Sequence, residues 1–346
     1  MKNEVDPHVG MELVTGATGI VGTHLLFELA QRGEVVAIYR EGTDRTIVEK
    51  VFRHYSSDAS SLLARIHWRE ADITDMDALS EAMTGITHVY HTAAVVSFDP
   101  KDRGAMDRVN IGGTANVVNG ALAAGVKRIC QVSSIAAIGR ASAGVERTET
   151  TPWEAEKHTS AYALSKYEAE MEIYRGIAEG VEAVIVNPCI ILGPGASGRS
   201  SITLVERLRK GTRFYPPGTN AVVDARDVAT CMVQLMEKGG NGERYILVGE
   251  NLPYHRLFKL ITSAFGKPEP TMALQPWMLG LGWRFERIRS LLTGSNPLIT
   301  QATVASSLLS RSYSSVKVKA LLGHPFRTAE EAINNVVKYL EGNTDR

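Results

Sequence analysis

The chain has 346 residues, 44% hydrophobic and 22% charged, which is ordinary for a soluble globular protein and enough for one large domain or two smaller ones. Lys+Arg and Asp+Glu both number 38, so the formal net charge is zero and there is no electrostatic case for nucleic acid or an anionic membrane. Cys130, Cys189 and Cys231 are odd in number and widely spaced, matching neither a disulfide framework nor a zinc site and pointing to a reducing cytoplasm.

In chain order, the N-terminal MKNEVDPHVG lacks the apolar core of a signal peptide. An apolar run, MELVTG, then precedes a helical pattern, VGTHLLFELAQRG, closed by Gly33. The run EVVAIY, the helical RTIVEKVFRHY, the short run RIHWREADI, the helical MDALSEAMTG and the run THVYHTAA follow. Ile111, Val117, Val118 and Leu122 mark the next helix, and RICQVSS and EAVIVNP are strands separated by the helix SAYALSKYEAEMEIYRGIAEG. Strands alternating with crossover helices predict a doubly wound parallel α/β sheet of the Rossmann type, and its strands read as continuous apolar runs because both faces are covered. After Pro188 the rhythm breaks into the Gly- and Ser-rich CIILGPGASGRSS, the helix ITLVERLRKG, an extended piece and helix in FYPPGTNAVVDARDVATCMVQLMEKG, a late strand ERYILVGE, and mostly helical sequence to the end. Residues 1–190 are expected to form the dinucleotide domain, with segments near 221–250 returning to it. Residues 191–346 are expected to form a smaller, mostly helical substrate cap interleaved with it. The stretch 276–292, apolar and then basic, reads as a buried cap helix, and no apolar run approaches the ~20 residues a membrane span requires.

Gly16, Gly19 and Gly22 stand three apart between a strand and a helix. One glycine permits the turn, one lets the main chain approach a pyrophosphate, and one lets helix and strand pack closely. The helix N-terminus then offers free N–H groups and a positive dipole end to phosphate.

TGATGIVG resembles the fingerprint of the extended short-chain dehydrogenase/reductase superfamily (the NAD-dependent epimerase/dehydratase family), and the resemblance covers essentially the whole chain. It implies cofactor contacts from Thr15, Gly16, Thr18, Gly19, Ile20, Val21 and Gly22. ADITD resembles the pair beside the adenine, giving Asp72 and Ile73. HTAA resembles the lining after the fourth strand, giving Thr92, Ala93 and Ala94. VNIGGTANVV carries the family's Asn110, with a mainly structural role. DARDVA (residues 224–229) resembles a further family segment, and NPCIILGPG puts Asn187, Pro188 and Ile190 on the nicotinamide side.

Members that prefer NAD carry Asp or Glu at the end of the second strand, and that carboxylate repels a 2′-phosphate. Here Tyr39 is followed by Arg40, whose guanidinium can grip the phosphate and stack on adenine, so NADP is expected in preference to NAD. Glu41 beside it could still turn toward a ribose.

Tyr162 and Lys166 are one helical turn apart. Reducing a ketone requires a hydride on carbon and a proton on oxygen. A tyrosine can supply the proton, although its free pKa of about 10 is high. A neighbouring ammonium and the nicotinamide charge stabilise tyrosinate and lower it. A serine hydroxyl polarises the substrate oxygen. Aligned on the superfamily pattern, SSIAAIG makes Ser134 the catalytic serine, with Val132 and Ser133 beside the cofactor. His91 reads as structural and Cys189 as packing, and no metal-ligand spacing occurs.

Three functions compete. One is an NADP(H)-dependent oxidoreductase acting on a ketone, aldehyde or alcohol, in the dihydroflavonol reductase and 3β-hydroxysteroid dehydrogenase branch. The second is a nucleotide-sugar epimerase or dehydratase with tightly bound NAD, and the third a non-catalytic NADP-binding regulatory protein. Val95, Ser97, Phe98, Ile138, Phe214 and Tyr215 are candidate substrate contacts; being largely apolar, they suit a ring-bearing carbonyl. Arg199, Arg207, Arg209 and Arg213 read as a solvated face. The resemblance also implies a homodimer through a four-helix bundle built from residues 110–123 and 161–177, with Met171 and Tyr174 facing outward.

Overall fold

A computed structural model describes residues 10–142, 144–154, 159–198, 201–275, 277–278, 304 and 307–342. Arg199, all of the 276–292 stretch except Trp277 and Met278, and the first nine residues lie outside it.

The strands of the N-terminal half are β1 (Met11–Thr15), β2 (Val35–Tyr39), β3 (Ile66–Glu70), β4 (Ile86–His91), β5 (Arg128–Val132) and β6 (Glu182–Pro188). Between them run the helices α1 (Ile20–Ala30), α2 (Thr46–Tyr55), α3 (Ala59–Leu63), α4 (Met76–Ala82), α5 (Arg103–Met106), α6 (Gly113–Ala124) and α7 (Ala161–Glu179). The expected alternation up to Pro188 is therefore present strand by strand. Further on come β7 (Ile190–Leu192), α8 (Ile202–Leu208), β8 (Phe214–Tyr215), β9 (Thr219–Asp224), α9 (Ala225–Lys238), β10 (Arg244–Leu247), β11 (Glu250–Pro253), α10 (Tyr254–Ala264), β12 (Met272–Ala273), α11 (Val316–Leu322) and α12 (Ala329–Gly342).

Seven strands form one sheet in the order β10-β6-β5-β4-β1-β2-β3, and every neighbouring pair is parallel. Successive side chains alternate between its faces. Val14, Val35 and Ala37 pack into one core with Leu25, Leu26, Phe52, Val228 and Met232. Leu13, Val36 and Ile38 pack into the other with Leu79, Met83, Val117 and Ile173. Each such Leu, Ile or Phe, fully buried, stabilises the fold by roughly 1.5–3 kcal/mol.

Because β1 lies between β2 and β4, the chain leaves it in one direction and returns on the other side. A crevice opens at such a switch point, beyond the carboxyl ends of the strands, and ligands of doubly wound sheets bind there.

The late segments divide. β10 joins the large sheet and α9 packs against α1, whereas β7, β9 and β11 form a separate three-stranded sheet and β8 pairs with β12. Among its described residues the C-terminal part is mostly helical, as expected, with these short strands besides. Those strands run only two to six residues, and none is a long apolar run. Asp227 on α9 is fully buried and ties down the approach to α12: it accepts from the Arg327 backbone N–H at 2.8 Å, from His324 Nε2 at 3.0 Å and from the Arg327 guanidinium. Replacing Asp227 by Ala leaves these donors unpaired. The expected loss is about 2–4 kcal/mol, toward the lower end because Arg327 reaches solvent, read as a fall in the denaturant midpoint.

Candidate active site

The glycine loop links β1 to α1. Gly16 has φ +65°, and a Cβ built there would lie 2.6 Å from the Ala93 backbone nitrogen. A Cβ on Gly22 would lie 2.3 Å from the Gly16 carbonyl oxygen, so both positions are closed to any side chain. Gly19 occupies the N-cap of α1 and offers no side-chain cap, and the first turn of the helix carries no acidic residue. Its leading N–H groups are therefore left for an anion. This backbone cradle fits the pyrophosphate of a dinucleotide, with Gly16, Thr18, Gly19, Ile20, Val21 and Gly22 as the residues that would hold it.

Thr15 fixes the loop against the segment after β4. Its hydroxyl accepts from the backbone N–H groups of Thr92 (3.1 Å) and Ala93 (3.2 Å) and lies 2.7 Å from His91 Nδ1. The other ring nitrogen of His91 lies 3.0 Å from the Thr114 hydroxyl, which itself donates to the Asn110 carbonyl at 2.5 Å. Thr114 therefore accepts from Nε2–H, and Nδ1 accepts from Thr15. Burial, with Lys166 nearby, pushes the His91 pKa down to about 3, so the ring is neutral. His91 is a structural histidine, as its sequence context indicates. Asn110 lies in a short π-helical segment; its side chain accepts from the Val95 N–H (2.7 Å) and donates to the Val95 carbonyl (2.9 Å) and Ser165 Oγ (3.0 Å). It joins the loop after β4 to α7, consistent with a mainly structural role.

Arg40 is exposed just beyond β2. It lines a cleft of about 1180 Å³ shared with Thr18, Glu41, Asp72 and Arg209. Asp72 accepts from the Thr74 backbone and hydroxyl, which holds the turn, while Ile73 is buried against Gly113. Arg209, expected on a solvated face, opens into this cleft.

At the end of β5, Lys166 is buried and its Nζ donates to the Val132 carbonyl at 2.7 Å, leaving two further N–H donors. Ser134, two residues beyond Val132, accepts from the Ala136 N–H at 3.1 Å. The Tyr162 phenol is pushed up by burial and drawn back by the Ser134 hydroxyl facing it. Burial pushes Lys166 down to about 8, opposed by the charge of Glu170. Phe98 meets Tyr162 edge to face with ring centroids 5.6 Å apart and remains 44% exposed. Val132, Ser134, Tyr162, Lys166 and Phe98 are thus brought together.

Other candidates fall elsewhere. Ile138 is 3% exposed and belongs to the apolar core. Phe214 and Tyr215 form β8, with the Tyr215 ring against His255 of α10. Ser97 donates to Asp102 at 2.6 Å. Pro188 ends β6 fully inside the protein, and Ile190 begins β7. Cys189 is buried with its thiol pKa raised by that burial, the property of a packing residue. Among the described residues no group of three or more His, Cys, Asp or Glu could hold a metal, and no helix is long and apolar enough to cross a membrane.

Two largely buried neighbours of these residues are unmarked in the sequence. Glu170 is fully buried one turn beyond Lys166 and accepts from Asn187 Nδ2 at 2.6 Å, and Arg244 on β10 reaches it at 3.2 Å. Asn187 Nδ2 also donates to the Ser134 carbonyl at 3.0 Å, while its Oδ1 is buried without a partner. The spacing of Glu170 from Lys166 is visible in the sequence, but its partners on β6 and β10 are not.

A doubly wound sheet with a glycine cradle at its switch point, and a Ser, Tyr and Lys at the end of β5, defines a dinucleotide-dependent oxidoreductase. The profile of the NAD dependent epimerase/dehydratase family matches residues 12–248. A putative dihydroflavonol 4-reductase from Synechocystis is 30% identical over 95% of this chain and 94% of its own length. Sterol demethylase protein B from Methylococcus capsulatus is 31% identical over 77% of this chain and 78% of its own. The crystal structure of gox2253 superposes with a TM-score of 0.79 at 30% identity, covering 96% of this chain and 98% of that one. The chain belongs to the NAD dependent epimerase/dehydratase family and is an NAD(P)-dependent oxidoreductase.

The buried histidines give a pH test. Burial holds His24 at about 4 and His91 at about 3, against an ordinary 6.5. Both are depressed, so below pH 6.5 the unfolded chain binds protons that the native state does not. The contribution of these two histidines to stability should therefore be level above about pH 7 and decline as pH falls toward 4. Thermal unfolding across that range should show this decline, and the slope should flatten in a His24→Gln/His91→Gln variant.

Proposed function

We propose that the protein is an NADPH-dependent reductase of a ketone or aldehyde on a small, largely apolar or ring-bearing molecule, working reversibly on the corresponding alcohol. The observation that carries this reading is the meeting of Tyr162 with Ser134 at the end of β5, beside the strand carbonyl that Lys166 grips. Bound NADPH supplies the hydride for the carbonyl carbon. Tyr162 delivers its phenolic proton to the carbonyl oxygen, and Ser134 donates a hydrogen bond to that oxygen as charge develops on it. The Lys166 ammonium stabilises the resulting tyrosinate, and its remaining donors would hold the nicotinamide ribose. Asn187, Pro188 and Ile190 would line the nicotinamide side from the end of β6 and the start of β7. Phe98, exposed against the Tyr162 ring, favours an apolar or aromatic substrate.

Arg40 supports NADPH. It is a cation exposed in the cleft with Asp72 and Thr18, at the place where an NAD-preferring chain has a carboxylate. Glu41 lines the same cleft and favours the second reading, an epimerase or dehydratase with tightly held NAD. Segments 1–190 and about 221–250 serve as the cofactor domain and the remainder as the substrate cap, a division favoured by the return of β10 to the large sheet. A homodimer through α6 and α7 is favoured by exposed Met171 on the outer face of α7.

Titration of purified protein with NADPH and NADH tests the cofactor. NADPH should bind at least ~10-fold tighter, and Arg40→Ala should weaken NADPH by about 10–100-fold, the loss of a charge-assisted contact, without affecting NADH. Equal binding, or protein isolated with NAD in place, would sink the NADPH assignment and put the epimerase reading first. In a screen of ketones and aldehydes, Tyr162→Phe should lose roughly 10²–10⁴-fold in turnover while still binding NADPH.

A further inference from the structure

Tyr162, Lys166 and Glu170 stand at successive i, i+4 positions on α7, so all three project from one face of the helix. Lys166 is 3% exposed and Glu170 fully buried, and they are the two charged residues of α7 that are buried. A buried carboxylate is costly unless its oxygens are fully engaged. Here one oxygen takes the Asn187 amide at 2.6 Å and the other the Arg244 guanidinium at 3.2 Å. Arg244 is held in turn by the Glu149 carbonyl, and the Glu149 carboxylate accepts from the Ile246 N–H at 2.9 Å. Through Asn187, the same carboxylate braces the Ser134 carbonyl. One side chain therefore touches the support of Ser134 and lies one turn from Lys166.

We propose that Glu170 is a positioning residue of this active site: it holds Asn187 against the strand end that carries Ser134, and its negative charge keeps Lys166 an ammonium. The proposal rests on the reading of Ser134, Tyr162 and Lys166 as the catalytic set. Lys166 is faced by Glu170 on its own helix, by His91 on β4 and by the Val132 carbonyl on β5. Glu170 is faced by Lys166 and Tyr174 on α7, Ser133 just beyond β5, Asn187 on β6 and Arg244 on β10. His91 is neutral, and Glu170, whose carboxyl is pushed up by burial and drawn back by Ser133, Arg244 and Asn187, is the group whose charge offsets the burial of Lys166. Without it, burial acts unopposed and the ammonium is lost at lower pH. Activity in the reducing direction should then fall off at lower pH as well.

The test is Glu170→Gln, which keeps the size of the side chain and an acceptor for Asn187 but removes the charge. In protein labelled with ¹³C-lysine, the Lys166 Cε signal is assigned by its absence in Lys166→Arg and followed as pH is raised. The expected result is titration about one pH unit lower in folded Glu170→Gln than in the wild type, a tenfold change in proton affinity. The alkaline limb of kcat should move the same way, with the Kd for NADPH changed by less than threefold. Unmoved Lys166 titration in folded Glu170→Gln overturns the proposal, because a purely structural role leaves it in place. Should Glu170→Gln not fold, Glu170→Asp decides: the shorter carboxylate keeps the charge but drops Asn187. Lys166 should then titrate as in the wild type while kcat falls about tenfold, and unchanged kcat overturns the proposal. Wild-type turnover in Tyr162→Phe would defeat the catalytic reading instead, and the Lys166 signal reports on Glu170 independently of that outcome.

Discussion

The hydroxyl of Thr15 is the point on which the geometry of the site depends. It sits on the last residue of β1, at the seam with β4, and engages His91, Thr92 and Ala93 at once. Those bonds press the segment after β4 so close to the glycine loop that Gly16 has no room for a Cβ. The same chain of bonds runs on through His91 and Thr114 to Asn110, and from Asn110 to Ser165 on α7. The pyrophosphate cradle and the helix bearing Tyr162 and Lys166 are thus set relative to each other by a buried polar path, not by apolar packing alone. Such a path works only if every member is satisfied, and a neutral His91 with one donating and one accepting nitrogen satisfies it.

What the sequence discloses follows from the range of each interaction. The glycine spacing, the Tyr162–Lys166 interval and the apolar strand runs are local, and each has a local physical cause: a forced turn, a helical period, burial on both faces of a sheet. They lead to the large sheet and to the core of the site without other information. Contacts made between distant segments are hidden. Arg244 meets Glu170 across 74 positions, and Asn187 reaches both Ser134 and Glu170. Ile138 looks like a pocket residue because it follows the catalytic strand. A single 3₁₀ turn at residues 135–137, capped by Ser134, instead carries the chain back into the core, where Ile138 is buried. The short strands β7, β11 and β12 escape a sequence reading because runs of two to four residues carry too little periodicity to separate strand from loop.

Burial at the end of β5 has a chemical consequence. Removing Tyr162 and Lys166 from water favours the neutral phenol and the neutral amine, as the upward and downward displacements of their pKa values record. Proton delivery to a carbonyl oxygen has the opposite requirement, since it leaves a tyrosinate that must be stabilised by an ammonium. A site closed enough to exclude water therefore needs fixed polar groups that restore the charged forms. The Ser134 hydroxyl acts on the phenol and the Glu170 carboxylate on the lysine, each in the direction that opposes desolvation. Burial in turn pushes the Glu170 carboxyl up, and Ser133, Arg244, only 17% exposed, and Asn187 draw it back. The charges alternate outward from the reacting centre, ammonium, carboxylate, guanidinium, and the last of them is anchored on β10. That strand comes from the part of the chain after the sequence alternation has broken down, and it closes the large sheet beside β6. The return of a late strand to an early sheet is thus what brings the third charge of this series to the helix that carries Tyr162 and Lys166.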